Sequence, residues 1–468
     1  LLVGVGLQPR DIVLFRAWFR YLRQTGLSYS MVTVVDALRR APEVTKGLVA
    51  LFDASHDPAF EGSREEAVKA AERRIRNGLA GVAAIDEDRI LRLLRGVVAA
   101  TVRTNAFAPA GTEALAFKLD SAQVPDLPAP RPWREIWVYS PRLEGIHLRG
   151  GPIARGGLRW SDRRDDFRTE ILGLMKAQLV KNAVIVPTGA KGGFYPKQLP
   201  PASERDAWLA EGKASYQIFI RSLLSVTDNI VEGRVVHPPQ VTVRDGEDPY
   251  FVLAADKGTA TFSDDANAIA IEQNFWLGDA FASGGSYGYD HKAIGITARG
   301  AWVSVQRHFR EMGIDVQSEP VRVGGVGDMS GDVFGNGMLL SKAVKLVAAF
   351  DHRHVFLDPD PDPAASWVER QRLFDLPRST WGDYDTKLIS KGGGVFSRSL
   401  KSIPLGEEMR ALLGFAAREA TPAQVMKAIL KLPVDLLWFG GIGTYVRASS
   451  ETDDRVGDRA NDAIRVTG

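Results

Sequence analysis

The sequence has no cysteine, which excludes disulfides and thiolate metal sites and makes a reducing compartment, the cytoplasm, the expected location. Net charge is almost absent as well: 59 Lys and Arg stand against 57 Asp and Glu, a balance of +2. No global field therefore points to nucleic acid or to an anionic membrane, and neither is expected as a partner. Histidine is scarce, seven in 468 residues, and His237, His291, His352 and His354 lack companions at metal-ligand spacing, so no metal site is expected. There is no run of 18 or more apolar residues, and the N-terminus lacks the basic, apolar and small-residue order of a signal peptide. The chain opens on Leu1 in an apolar segment, which reads as the middle of a longer protein.

What is present is enough apolar residue, 45% of 468, for two or three domains with their own cores. From about residue 9 to 107 apolar residues recur three and four apart, as in Ile75, Leu79, Val82 and Ile85, the period of helices packed on one face. Ser63-Arg-Glu-Glu66 reads as a capping box. Four prolines between Pro125 and Pro132 mark entry into a new unit. Beyond them strand and helix patterns alternate, which predicts an α/β class with largely parallel sheets.

Residues 154–194 carry Arg155, Arg159, Lys176, Lys181 and Lys191 beside two glycine turns. Cations among glycines suit a pocket for a small dicarboxylate with a lysine placed for chemistry; surface lysines near turns are the plain alternative. Lys191, expected in a turn over 188–193, lacks the following hydroxyl residue of a phosphate loop, which excludes ATP. Enclosed by glycines and other cations, it could serve as a base. Asp256 is expected at the carboxyl end of the strand at 250–254, where α/β sites form, although such aspartates are often only helix caps. Glu170 reads as an ordinary ion pair.

Gly325-x-Gly327-x-x-x-Gly331 follows a predicted strand at 320–324, the context of a dinucleotide-binding turn, and a helix is expected over 337–350. The spacing alone leaves open a glycine turn that merely closes a strand–helix unit. Asp358, ending a second predicted strand, would accept from a ribose hydroxyl and repel a 2′-phosphate, favouring NAD; it could equally be a turn carboxylate. Lys391-Gly-Gly-Gly-Val-Phe396 is left without a role.

Taken together, Arg155-Gly-Gly-Leu-Arg-Trp160, Gln178-Leu-Val-Lys181, Pro187-Thr-Gly-Ala-Lys-Gly-Gly193, Ala255-Asp-Lys-Gly-Thr259, Thr297-Ala-Arg-Gly300 and Gly324-Gly-Val-Gly-Asp-Met-Ser-Gly331 resemble the glutamate dehydrogenase family, in particular its large NAD-specific bacterial form. The resemblance implies an all-helical segment at 1–126, a glutamate-binding α/β domain with a mixed sheet at 131–300, and a Rossmann-like NAD-binding domain at 301–468, truncated at its C-terminus. It implies Lys191 and Asp256 as catalytic and Lys181 as holder of the substrate α-carboxylate. Arg155 stands where smaller members have a lysine for the γ-carboxylate, and Arg159 and Thr297 join the substrate set. Gly325, Gly327, Asp328, Met329, Gly331 and Asp358 fall to the cofactor. The activity implied is NAD-dependent oxidative deamination of L-glutamate to 2-oxoglutarate and ammonia by a homo-oligomer. Two other readings stand beside it: a dehydrogenase of another L-amino acid, against which Arg155 argues, and a non-catalytic cofactor-binding segment.

Overall fold

A computed structural model describes residues 1–181, 188–256, 259, 261–286, 291–441, 443–456 and 458–468. The chain divides into two compact units, Leu1–Gly288 and Tyr289–Gly468.

The first unit opens with helices α1 (Leu2–Val5), α2 (Pro9–Gln24), α3 (Met31–Arg40), α4 (Pro42–His56), α5 (Arg64–Ala80) and α6 (Ile85–Ala100). Half of the expected capping box forms, Ser63 capping α5 by accepting from the Glu66 amide at 3.3 Å. Strands β1 (Thr101–Thr104), β2 (Leu115–Asp120), β3 (Arg134–Tyr139), β4 (Leu143–Arg149) and β5 (Ala154–Trp160) follow. Next come helix α7 (Phe167–Lys181), strand β6 (Thr188–Pro196), helix α8 (Arg205–Leu224), the hairpin β7 (Asn229–Val231) and β8 (Arg234–Val236), strand β9 (Val252–Ala255) and helix α9 (Ser263–Glu272). The main sheet runs β1-β2-β3-β4-β6-β5-β9. It is antiparallel from β1 through β4 to β6, and parallel among β6, β5 and β9.

The expected end of the helical segment at 126 does not separate two cores. Residues 101–126 already supply β1 and β2, and Trp18, Phe52 and Leu94 share one apolar cluster with Phe117, Trp137, Ile146 and Phe167. Burying the helices' apolar stripes against a sheet face is what holds them there. Trp137 Nε1 donates to the Ala17 carbonyl at 3.0 Å, so even the polar edge of that indole is met from α2.

In the second unit α10 (His291–Ile294) and α11 (Ile296–Glu311) precede β10 (Val321–Val326), α12 (Asp332–Gly337), β11 (Val344–Phe350), β12 (His354–Leu357), α13 (Pro363–Asp375) and β13 (Gly394–Ser397). β14 (Ile403–Pro404), α14 (Glu407–Leu413), β15 (Glu419–Ala420), α15 (Pro422–Leu430) and β16 (Leu436–Phe439) follow. The sheet order is β13-β12-β11-β10-β16. β10 is parallel to β11 and β16, while β12 is antiparallel to both β11 and β13. α11, with Ala298, Trp302 and Phe309 in this core, belongs here, so Thr297 falls in the second unit rather than in a first domain ending at 300. The glycines at 392–394 lead into the edge strand β13.

The sheets are mixed rather than largely parallel, with four of the six pairings in the main sheet antiparallel, and a helix expected in the second unit is a strand. Of the helix predicted over 337–350 only Gly337 is helical, as the last residue of the six-residue α12, and Val344-Lys-Leu-Val-Ala-Ala-Phe350 is strand β11. A central strand buried on both faces reads as a continuous apolar run, and its two alanines removed the β-branched signal that would have marked it.

Candidate active site

The site is written on one face of three parallel strands. Arg155 pairs with Gly189 and Val252, Gly157 with Ala254, and Arg159 with Gly193. Because side chains alternate across a strand, Arg155, Gly157 and Arg159 on β5, Gly189, Lys191 and Gly193 on β6, and Ala254 and Asp256 at the end of β9 point the same way. Everything on this patch is a charged group or a side chain too small to cover one.

The turn expected at 188–193 is therefore a central strand, β6. Its glycines are there for close approach: a Cβ at Gly192 would lie 2.3 Å from Leu158 Cδ2, and one at Gly193 would lie 2.4 Å from Ile171 Cδ1 on α7. Gly156 is tighter still, for its Cβ would sit 1.6 Å from the Ala190 carbonyl oxygen. The glycines on both sides of Lys191 let helix and strands close around a lysine that is only 6% exposed.

Lys191 Nζ lies 2.5 Å from Asp256 Oδ2, and Arg159 Nε donates to the same oxygen at 3.1 Å. The carboxylate thus stands between two cations that sequence reading had set side by side. Thr259 anchors it: its hydroxyl donates to the Leu158 carbonyl at 2.6 Å and accepts from the Asp256 amide at 3.2 Å. Behind Arg159, Glu170 accepts from Arg159 Nη1 at 3.1 Å and from Ser161 Oγ at 2.7 Å. Burial opposes the charge on Arg159, but Asp256 and Glu170 outweigh it and hold the guanidinium above its usual value. Arg155, further back along β5, is exposed and donates to Ser283 Oγ at 3.2 Å. Lys181 closes α7, and its side chain lies outside the described residues.

Of the sequence candidates, the structure brings together Lys191, Asp256 and Arg159. Glu170 reads from the sequence only as an ordinary ion pair, and Ser161 and Thr259 carry no separate expectation. Their signal was position: Ser161 follows Arg159 by two, and Glu170 sits in the first turn of α7.

In the second unit the glycine turn leaves β10 at its carboxyl end. Gly327 has φ +138°, and side chains at Gly325, Gly327 or Gly440 would meet Phe334 of α12 at 2.6, 2.7 and 2.5 Å. Asp328 Oδ1 accepts from the Ser330 and Gly331 amides at 2.8 and 3.1 Å, holding the turn. Met329 is 2% exposed and belongs to the apolar core, so its side chain offers no surface to a ligand. Thr297 is exposed in the first turn of α11.

Asp358 requires a correction. β12 runs antiparallel to β11, and the Asp358 amide donates to Val347 in the middle of β11, well back from the carboxyl ends of β10 and β11. It is fully buried; one oxygen accepts from the Ser390 amide at 3.0 Å and the other, Oδ2, has no partner among the described residues, and burial pushes its carboxyl above the usual range. The carboxylate that does end the strand beside β10 is Asp351, 26 residues after Gly325. Its Oδ1 accepts from the Arg353 and His354 amides at 2.7 and 2.6 Å, while Oδ2 has no partner among the described residues although the residue is 7% exposed. One ligand-type atom from each of Asp328, Asp351 and His352 lies within 4.8 Å of the others, a grouping that spacing did not suggest. Among the described residues no helix is long and apolar enough to cross a membrane.

Residues 74–468 match the family described as "Bacterial NAD-glutamate dehydrogenase, catalytic domain", and residues 1–58 match "Glutamate dehydrogenase, helical motif 3". The NAD-specific glutamate dehydrogenase of Mycobacterium tuberculosis is 57% identical over the whole of this chain and that of Pseudomonas aeruginosa 56%. The chain spans 30% and 29% of those curated relatives. A solved glutamate dehydrogenase of Plasmodium falciparum covers 100% of this chain and 80% of its own at 15% identity, with a TM-score of 0.40, a likeness too low to carry an argument. With 395 of its 468 residues inside the first of these matches, the chain belongs to the bacterial NAD-glutamate dehydrogenase catalytic-domain family.

Proposed function

We propose that this chain carries out the NAD-dependent oxidative deamination of L-glutamate to 2-oxoglutarate and ammonia. The observation that carries the reading is the 2.5 Å contact of Lys191 Nζ with Asp256 Oδ2 on a glycine-lined face. Lys191 is in reach to take a proton from the water that attacks the imine formed at the substrate Cα, and Asp256, touching Lys191, passes protons on until ammonia leaves. Arg155, exposed and without a carboxylate partner among the described residues, is the cation offered to the γ-carboxylate, with a fork that suits a planar carboxylate. Lys181 is assigned to the α-carboxylate on the family resemblance, and Thr297 to the substrate's surroundings. Arg159 is reassigned from substrate to Asp256, since Asp256 and Glu170 already occupy it.

NAD, when bound, supplies the hydride acceptor. The residues present fit it on two counts: Asp351, at the carboxyl end of the strand beside β10, holds Oδ2 buried with no partner among the described residues, as a ribose hydroxyl requires, and Gly327 leaves β10 without a Cβ to block a close approach. Asp351 replaces Asp358 in that role, with Gly325, Gly327, Asp328 and Gly331 forming the turn beside it. Further, the enzyme is proposed to act in the cytoplasm, in keeping with a chain free of cysteine, and as a homo-oligomer, which native mass spectrometry reads directly.

The test is Lys191→Ala in the full-length protein. Glutamate-dependent NADH formation is expected to fall by at least about 10²-fold, the low end for losing a proton-transfer group. A fall within about threefold removes Lys191 from the chemistry. Turnover of leucine or phenylalanine matching that of glutamate would favour the other amino-acid dehydrogenase reading.

A further inference from the structure

The charged groups of the first site form a line rather than a cluster. Glu170 receives one donor on each carboxylate oxygen, Arg159 Nη1 and Ser161 Oγ. Arg159 turns its Nε to Asp256, and Asp256 meets Lys191. Charges alternate along it as −, +, −, +, and the side chains of Glu170, Arg159, Asp256 and Lys191 are 17, 14, 14 and 7% exposed. An exposed ion pair would contribute little and need no serine behind it. Here the acid at the far end is held in orientation by two donors, and a planar guanidinium tied at both edges transmits that orientation to its other partner.

We infer that Glu170, clamped by Ser161, is a positioning residue for the reaction: through Arg159 it sets the place and charge environment of Asp256, and so of Lys191. The inference rests on the reading of Lys191 and Asp256 as the reacting pair. Glu170 itself touches neither, and stands to Asp256 as an outer partner stands to a ligand. Among the described residues, the charged groups on and beside this line are Arg159 from β5, Arg163 and the Asp166 paired with it from the turn before α7, Lys191 from β6 and Asp256 at the end of β9. Glu170, Arg159, Asp256 and Lys191 sum to zero charge, and neutralising Glu170 leaves the line with an uncompensated positive charge next to the reacting groups.

Glu170→Gln in the full-length enzyme tests this. The expected kcat is lower by about tenfold, since displacements of about 1 Å at reacting groups cost up to ~10²-fold. KM for glutamate should stay within about twofold, because Glu170 meets no substrate. The acid limb of the kcat/KM profile should move to lower pH by about half a unit, because added positive charge disfavours protonation nearby. Glu170→Asp, which keeps the charge, should leave that limb where it is in the parent. A folded Glu170→Gln enzyme with parental kcat and an unmoved limb overturns the inference, as does one whose loss lies wholly in KM. Should Glu170→Gln fail to fold, Ser161→Ala reads the same clamp: a twofold to fivefold loss of kcat at constant KM supports it, and an unchanged kcat overturns it. Lys191→Ala run beside them separates the two levels. If it retains turnover, the assignment of the reacting pair fails; if it abolishes turnover while Glu170→Gln changes nothing, only the positioning role fails.

Discussion

Gly156→Ala is the sharpest probe of how the first site is built. A Cβ there would lie 1.6 Å from the Ala190 carbonyl oxygen, and 2.4 Å from its carbonyl carbon. Those atoms are backbone, so no rotamer change relieves the overlap. To reach even a 3.0 Å contact the two strands must part by about 1.4 Å, which takes ladder hydrogen bonds of about 2.9 Å beyond any useful length. Losing about two of them costs ~1 kcal/mol each, and strain from overpacking adds ~1–3 kcal/mol, so the variant should be destabilised by about 3–5 kcal/mol. That is a large part of a domain's ordinary margin of ~5–15 kcal/mol. Ala190 immediately precedes Lys191, so the same displacement moves Nζ away from Asp256. Urea unfolding followed by tryptophan fluorescence gives the first quantity and glutamate turnover under folding conditions the second. Gly173→Ala is the control, because a Cβ at that helical position meets nothing within 4 Å and should stabilise by about 0.5–1 kcal/mol. A Gly156→Ala protein that unfolds at the parental urea concentration would refute the close-packed account of these strands.

Two further expectations concern the cofactor end and acid stability. Asp351→Ser should narrow the preference for NAD over NADP by at least about tenfold in kcat/KM, whereas Asp358→Asn should leave the preference untouched and lower stability; parallel NAD and NADP kinetics on both variants decide between the two aspartates. His56 and His147 are buried with neither ring nitrogen partnered among the described residues, and burial first, then nearby arginines, holds each at a pKa of about 3. The folded value lies below the unfolded value of about 6.5, so the unfolded chain binds protons more readily. Stability is complete above about pH 6.5 and is lost as pH falls toward 3, by ~1.4 kcal/mol per unit for each histidine. Urea midpoints at pH 7 and pH 5 measure it, and His147→Phe should flatten the slope; a pH-independent midpoint between them would show that these rings are not buried neutral.

Much of this was legible without coordinates. The helical period of the first hundred residues, the cap at Ser63, the motif lysine and aspartate, and a glycine turn after an apolar strand are local patterns that follow from backbone preference and side-chain alternation. Where reading failed, it failed at glycines and alanines. Gly192 and Gly193 look like a turn because glycine permits one, yet they are needed for the approach of Leu158 and Ile171, residues distant in sequence. Val344–Phe350 looks helical because Lys, Leu and two alanines dilute its valines, and only its neighbours on both sides make it a strand.

The sequence by itself determined the class of elements, the presence of a lysine–aspartate pair in family motifs, and the absence of thiol chemistry. Tertiary structure alone decided who meets whom. Lys191 and Asp256 are 65 residues apart and touch because β6, β5 and β9 lie side by side in parallel. Asp351 is proposed in place of Asp358 because the chain reverses between β11 and β12, so that the carboxyl ends of these neighbouring strands lie at opposite ends of the ladder. Glu170 became part of the site because α7 packs over β6. Propensity and period are written along the chain; the pairing of strands is a balance of contacts between segments far apart on it, and no single segment carries that balance.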